Sequence, residues 1–395
     1  MNRLAVSERA EVLHALCEGM SMRACERVFK RPFRTVAKIV RDVGDWAEAF
    51  HASMTPVSCD RIQADELWAF VGENDRGSAL TPHKDGRGVS WTFLAVDRTT
   101  KLIIAHHTGS RRAWDATKFF RKLDDRLAKD EHGNFLVRPT IATDGMKAYV
   151  DSFEKVFGTR ADFGQYSKAY TNYDEKGEPL PGSRFAGATR IIRAGNPNLA
   201  DITTWRVERE NGMVRQTNRR FTRKTNGFSK LQEYHQRQLA IGIIYRNFCW
   251  VPRPSRPNDG SSNWIKQIPA AMAAGLADCV WTSEDMIGAS DEFIAKRAAP
   301  TESAPSTAND RDHEKRFWVV HAPYHKKTKV HKPECSACNH GLGKRGGMSE
   351  KSFWYGFASL DDATAFAAEN EPDDNEICKL CLGEYHTLGR YGRRL

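Results

Sequence analysis

The chain has 395 residues, 40% of them hydrophobic and 28% charged, with a formal net charge of +10 and a pI near 9.1. That length holds two or three domains with a sizeable core, and the composition excludes a disordered or fibrous chain. The positive balance makes an acidic macromolecule, nucleic acid first, the expected partner, and no apolar run is long enough for a bilayer, so no membrane partner is expected. The opening residues, Met1-Asn-Arg-Leu-Ala-Val-Ser7, lack the apolar core of a secretion signal, which leads to the expectation of a cytoplasmic protein with reduced thiols. Of nine cysteines, Cys17, Cys25, Cys59, Cys249 and Cys279 are scattered. The other four form two CxxC pairs near the C-terminus, which metal binding explains better than a disulfide framework.

Residues 1–50 read as three short helices. Ser7 is a candidate N-cap, Val12, Leu13 and Leu16 recur at helical spacing, and Gly19 closes the first. Ser21 caps the second, and the turn Lys30-Arg-Pro-Phe33 leads into a third with Val36, Ile39, Val40 and Val43 inward. Arg34, Lys38 and Arg41 lie on its outer side. A helical triplet with the basic helix last suits a helix-turn-helix module whose final helix enters the major groove. A small bundle that only packs on the next domain has the same pattern; the clustered positive charge favours DNA.

From residue 58 to about 290 the pattern is α/β. Ile62–Val71, Trp91–Asp97 and Lys101–His107 read as strands, with Arg98-Thr-Thr100 as the turn between the last two. Trp114–Leu127 is amphipathic and helical, 139–145 is a short strand ending in Asp144-Gly145, and Met146–Phe157 is helical. Residues 158–204 read as an irregular polar insertion with one strand at Thr189–Arg193. A helix is expected over Trp205–Lys224, weakened slightly by Gly212, with Glu208, Asn211, Arg215, Arg219 and Thr222 on one face and Val207, Val214 and Phe221 on another. Ala270–Ile287 reads as a closing helix.

Three antiparallel strands, a helix, a parallel strand and further helices make the order of a ribonuclease H-like fold. In that fold Asp65, Asp144 and Glu208 would meet at one sheet edge. Three carboxylates so placed repel one another unless cations sit between them. All-oxygen ligands suit Mg2+ or Mn2+, and two ions about 3.5–4 Å apart could clamp both oxygens of an in-line phosphoryl transfer. Pattern alone leaves alternatives open. Strand alternation places Asp65, Leu67 and Ala69 on one face and Glu66, Trp68 and Phe70 on the other, so Glu66 is a rival to Asp65. Asp144-Gly145 also fits a simple strand-ending turn, and the helix around Glu208 fits an ordinary solvated surface.

Residues 291–313 read as a flexible linker by composition, and 314–395 as a small α+β unit with strands at Arg316–His321 and Ser352–Phe357 and a short helix at Leu360–Glu369. Cys335-Ser-Ala-Cys338 and Cys378-Lys-Leu-Cys381 suggest a closed structural Zn2+ site of four thiolates, although the gap between the pairs exceeds that of the tightest ribbons. His331 is an alternative ligand and His386 a weaker one. Free thiols or a redox pair are the competing readings.

Four co-linear blocks carry a resemblance: Ile62-Gln-Ala-Asp-Glu-Leu-Trp-Ala-Phe-Val71, Thr143-Asp-Gly-Met-Lys-Ala-Tyr149, Val207-Glu-Arg-Glu-Asn211 and Arg219-Arg-Phe-Thr-Arg-Lys-Thr-Asn-Gly-Phe-Ser-Lys230. Together they resemble the motif set of the IS-one family of bacterial insertion-sequence transposases, over roughly residues 5–290. The resemblance implies a DDE active site on Asp65, Asp144 and Glu208, with end cleavage followed by attack of the freed 3′-hydroxyl on target DNA. It also implies an N-terminal element that binds transposon ends, phosphate contacts from Arg215, Arg219, Arg223 and Lys224, homo-oligomerisation on double-stranded DNA, and a bacterial, nucleoid-associated location. The sequence departs from the family at Trp250-Val-Pro-Arg-Pro-Ser-Arg-Pro257, where many relatives carry a histidine, and in the longer span from Asp144 to Glu208. A divalent-metal DNA nuclease on the same fold and a non-catalytic DNA-binding regulator are the alternative functions.

Overall fold

The computed structural model describes residues 3–73, 87–174, 179–222, 226–254, 266–298, 317–322, 327–331, 353–357 and 375–377, with Leu360, Ala363, Thr364 and Ala367. The chain divides into two compact units, Met1–Ala299 and Pro300–Leu395.

The first unit opens with α1 (Val6–Cys17), α2 (Met22–Val28) and α3 (Phe33–Ser53). Ser21 caps α2, its hydroxyl accepting from the Ala24 N–H at 3.1 Å. Gly19, at φ +92, makes the turn between the first two helices with backbone of Gln216 close by. A mixed α/β layer follows: β1 (Arg61–Val71), β2 (Gly88–Asp97), β3 (Ile103–Gly109), α4 (Ala113–Asp125), β4 (Thr140–Asp144), α5 (Lys147–Val156), β5 (Asp162–Tyr173), β6 (Pro179–Ala194), α6 (Trp205–Thr217), α7 (Gln232–Ile244), α8 (Ala270–Ala273) and α9 (Ser283–Ala298). The strands form one six-stranded sheet in the order β3-β2-β1-β4-β5-β6. β1–β2, β2–β3 and β5–β6 pair antiparallel, whereas β1–β4 and β4–β5 pair parallel. Asp97 caps the β2–β3 turn, accepting from the N–H groups of Thr99 and Thr100.

Strand alternation builds two apolar layers. On one face Ile62, Ala64, Phe93 and Ala95 pack with Phe119, Phe120, Tyr149 and Phe153. Phe153 stacks on Phe163 of β5 with ring centroids 4.5 Å apart, and burial of each such aromatic contributes about 1.5–3 kcal/mol of transfer free energy. On the other face Leu67, Ala69, Leu94 and Val96 meet Val207, Phe221, Leu239 and Ile243. α3 shares the first core through Val36, Ile39, Val40, Val43 and Trp46. It passes α7 at Gly44, where a Cβ would overlap the Arg237 side chain, and Arg237 donates to Asp45 at 2.7 Å.

Three expected elements take a different form. Residues 158–204 are not irregular: most of them form the β5–β6 hairpin. Near β4 its side chains are buried, with Phe163 at 1% and Gln165 at 0% exposure; beyond Lys168 most are exposed, so the outer half lacks the apolar alternation by which a strand is recognised. The helix expected over Trp205–Lys224 ends at Thr217. Asn218 turns its side chain onto the Arg220 N–H and starts a separate tight turn, Arg219–Phe221, as Asn does wherever a local cap competes with the helix. The closing helix is split into α8 and α9; Gly275, at φ +71, follows the first piece, the backbone that ends helices at a glycine.

In the second unit β7 (Phe317–Ala322), β8 (Lys327–His331), β9 (Phe353–Phe357) and β10 (Asn375–Ile377) form a sheet in the order β10-β8-β7-β9. Cys335, Cys338, Cys378, Cys381 and His386 lie outside the described residues. No helix among the described residues is long and apolar enough to cross a membrane.

Three histidines are buried neutral in the first unit. Burial pulls His51 down to about 4 and His235 to about 3, and His106, beside His51, well below its usual value. Their unfolded value is near 6.5, so in that window the unfolded chain binds more protons than the fold. Stability is therefore full above pH 6.5 and is lost on acidification, each histidine removing up to about 1.4 kcal/mol per pH unit. Urea unfolding between pH 7 and 5 is expected to show this slope, and His235→Gln to flatten it.

Candidate active site

β1 and β4 run parallel, and Ala64 and Thr143 are their last paired residues. The next position on each strand is an acid, Asp65 and Asp144. Neighbours in register project from the same face, so pairing alone brings these two together. β4 ends at Asp144, leaving no further backbone beside Glu66. As a result Asp65, Glu66 and Asp144 offer carboxylate oxygens that all lie within 4.8 Å of one another.

The two β1 acids have different surroundings. Glu66 points toward the α4–α5 layer. Arg111 donates from Nε to its Oε1 at 2.7 Å, with Nη2 in an ion pair to the same oxygen at 2.6 Å, and the Tyr149 hydroxyl donates to its Oε2 at 2.9 Å. Asp65 faces α6, and Asn211 donates to its Oδ2 at 2.9 Å. The other amide atom, Asn211 Oδ1, is buried with no hydrogen-bond partner. Asp144 accepts from the Met146 N–H at 3.0 Å, and Arg111 approaches it at 3.8 Å.

α6 is pinned by β1. Gln63, two residues before Asp65 on the same face, accepts from the N–H groups of Arg206 and Val207 at 2.8 and 3.3 Å and donates to Thr203 at 2.7 Å. These N–H groups belong to the first turn, which has no intrahelical acceptors; a strand side chain supplies the cap. Glu210, buried to 1% exposure, locks the middle of the helix through Arg246 at 2.8 and 3.0 Å. So fixed, α6 presents Glu208 and Asn211, one turn apart, to the sheet edge.

Glu208 does not join the tight group of three. Its carboxylate accepts from Lys168 of β5 at 2.6 Å and from the Thr204 hydroxyl. Its charge still reaches Asp65. Burial first, then Glu66, Asp144 and Glu208, push the Asp65 carboxyl up to about 8. Burial and Asp144 also raise Glu66 against the opposing pull of Arg111 and Tyr149. A cluster that holds protons for want of positive charge is chemically suited to a hard divalent cation, and the open oxygen of Asn211 adds a neutral donor of the same class.

The expected phosphate-binding residues are spread over several elements. Arg34, Lys38 and Arg41 are exposed on the outer side of α3, with Asp42 beside Lys38 and Arg41. Arg215 lies on α6. Arg219 is exposed but falls after the helix break, so it does not continue the Glu208 face. Arg223 and Lys224 lie outside the described residues. A second basic surface was missed in the sequence: a groove of about 690 Å3 lined by Lys101, Arg206, Arg209, Arg246 and Arg253. Gln63, Arg111, Tyr149 and Lys168 were missed as well. Only Gln63 left a signal, a polar residue between apolar Ile62 and Ala64 along the strand.

No family model and no curated protein matches the sequence. Among solved structures the chain is similar to the piggyBac transposase synaptic complex with hairpin DNA, at 13% identity and a TM-score of 0.34, over 77% of this chain and 77% of that one. It is also similar to the Mos1 strand transfer complex, at 11% identity and a TM-score of 0.16, over 61% of this chain and 78% of that one. These neighbours are DNA transposases; at such scores the functional reading rests on the residues themselves.

A cation entering this cluster must displace the Asp65 proton, which is held up to about pH 8. Mn2+ affinity, read by proton relaxation, is expected to climb about tenfold per pH unit up to about pH 8 and then level off. Asp65→Asn and Asp144→Asn each remove the binding. Asn211→Leu, which deletes the open oxygen, weakens it about 10–100-fold.

Proposed function

We propose that this chain is a DNA transposase of the DDE type on a ribonuclease H-like core, cleaving at the ends of an insertion element and joining the 3′-hydroxyls to target DNA. The observation that carries this reading is the in-register adjacency of Asp65 and Asp144 under the first turns of α6. The strand order, with three antiparallel strands followed by two parallel ones, supports the ribonuclease H-like assignment, and the motif blocks that resemble the IS-one family fall on β1, β4, α6 and the turn after it. Bound Mg2+ or Mn2+ would supply charge neutralisation and activation of the attacking oxygen.

The chain's own residues supply the placement. Asp65 and Asp144 are the two acids whose oxygens face the edge unshared by strong donors from both sides, and both are assigned as ligands. Glu66 is assigned to positioning, because Arg111 and Tyr149 already engage its two oxygens. Glu208 is the third acid. Lys168 holds it aside, and a cation at the edge would compete with that ammonium for the same carboxylate. Asn211 fixes the Asp65 rotamer.

The basic groove beside α6 and the outer side of α3 are proposed to hold DNA phosphates, the latter as a helix-turn-helix element for the transposon ends. The contacts α3 makes with α7 and α9 would make that element a rigid part of the first unit. Cys335, Cys338, Cys378 and Cys381 are proposed to close a structural Zn2+ site in the second unit, and synapsis of two ends calls for a homo-oligomer on DNA.

A strand-transfer assay in Mg2+, using pre-cut DNA from the flanks of the reading frame, tests the proposal. Asp144→Asn and Glu208→Gln are expected to lower joining by more than about 100-fold while end binding is kept. Joining that persists in both variants overturns the assigned site. Metal-dependent cutting without any joining identifies a nuclease, and binding without either identifies a regulator.

A further inference from the structure

A groove of about 780 Å3 lies between the start of α2 and α3 on one side and residues 218–220 and 227–238 on the other. Its lining contains Arg23, Arg219, Arg220 and Lys230 and, among the described residues, no acidic one. Its floor is aromatic, with Phe33, Phe228 and Tyr234. Arg23 lies over the Phe33 ring at 4.1 Å, Lys230 over the Phe228 ring at 3.3 Å and Arg237 over the Tyr234 ring at 5.3 Å, so each ring has a cation on one face and only its other face can take a base.

Arg220 is the informative residue. It is partly buried, and its hydrogen bonds go to neutral groups: Ser229 Oγ at 3.1 Å, Gln238 Oε1 at 3.4 Å and Met22 Sδ at 2.8 Å. It has no carboxylate partner among the described residues. Burial draws its guanidinium down to about 10. A buried charge without a counter-ion is costly unless a ligand brings one. Aromatic faces with cations beside them accept bases, whatever their sequence, and an arginine fork accepts phosphate. A duplex backbone would use the cations and leave the aromatic floor empty, because its bases are stacked inside.

The geometry points to this groove as a binding site for an unpaired nucleotide, its base on the aromatic floor and its phosphate at Arg220. The proposal rests on the DNA reading above and extends it: the substrate end would be held partly unpaired. Asn218 and Arg219 follow directly on α6, ten residues beyond Glu208. At 1.5 Å per residue that is about 15 Å along the helix, or about four nucleotides at about 3.4 Å per step. The expected unpaired stretch therefore lies within about five nucleotides of the cleaved phosphate.

The test measures binding by the full chain without added Mg2+ or Mn2+, so that it does not depend on catalysis. The probes are a fluorescein-labelled blunt duplex of 20 base pairs and the same duplex with a five-nucleotide single-stranded overhang. The wild-type chain is expected to prefer the overhang at least tenfold. Lys230→Gln, at an exposed position, and Arg220→Gln, checked for an unchanged melting profile, are expected to bring that preference to twofold or less. The salt slope for the overhang should fall by about 0.7 for each lost phosphate contact. Equal binding of the two probes by the wild type, or an unchanged preference in a folded Lys230→Gln protein, overturns the proposal. Because no Mg2+ or Mn2+ is present, either result is distinguishable from failure of the active-site assignment, which is read by joining in Mg2+.

Discussion

Asp65 and Asp144 are one strand apart in a parallel register, and the sheet cannot form without bringing them together. Their mutual repulsion is the constraint around which the local structure is arranged. Glu66 adds a third carboxyl, and the fold answers with Arg111, aimed at Glu66 and near Asp144, and with Lys168, paired to Glu208. Even so Asp65 stays protonated to about pH 8, so the local positive charge is less than the acids could use. An arrangement that keeps a buried acid short of cations is a poor way to stabilise a protein and a good way to prepare a site for a divalent ion.

Holding that arrangement requires a rigid α6, and the sequence of α6 does not provide rigidity by itself. It carries Gly212, has no N-cap side chain of its own, and ends after thirteen residues. Support comes from outside: Gln63 at the first turn, Arg246 on Glu210 in the middle, and Val207 with the following Phe221 in the apolar layer. One strand therefore sets both halves of the site. β1 contributes Asp65 directly and, two residues earlier on the same face, the cap that aims α6 at it.

Much of this was legible in the sequence where burial is one-sided or complete. β1 to β4 announce themselves because alternation or a continuous apolar run survives along each of them, and α4 and α5 because their inner faces are aromatic at helical spacing. Of the β5–β6 hairpin only Thr189–Arg193 was legible, since its outer half is largely exposed and carries no period. The break after Thr217 was masked by good helix formers on both sides, and only Asn218 hints at it. Asp144 could be chosen because it closes a short apolar strand, and Asp65 because it interrupts the first strand of a ribonuclease H-like order. The roles of Arg111, Tyr149 and Lys168 depend on contacts from other elements, and local pattern holds no trace of them. Glu208 was legible as an acid on a polar face, but its pairing with Lys168 required the hairpin that had not been seen.

The break in α6 also changes how the basic residues after it must be understood. On one unbroken helix Arg215 and Arg219 would form a single stripe leading away from the acids, suited to one duplex backbone. With the turn at Asn218 they part. Residues before it stay with the sheet edge and the groove of Lys101, Arg206 and Arg209, while Arg219 and Arg220 turn toward the N-terminal helices and the aromatic groove beside them. The two cationic surfaces are therefore lined from opposite sides of the break, one by α6 and the other by the turn after it. On the proposed reading one surface would hold a strand in reach of the acids and the other the bases next to it, and a local cap by a single asparagine provides that separation.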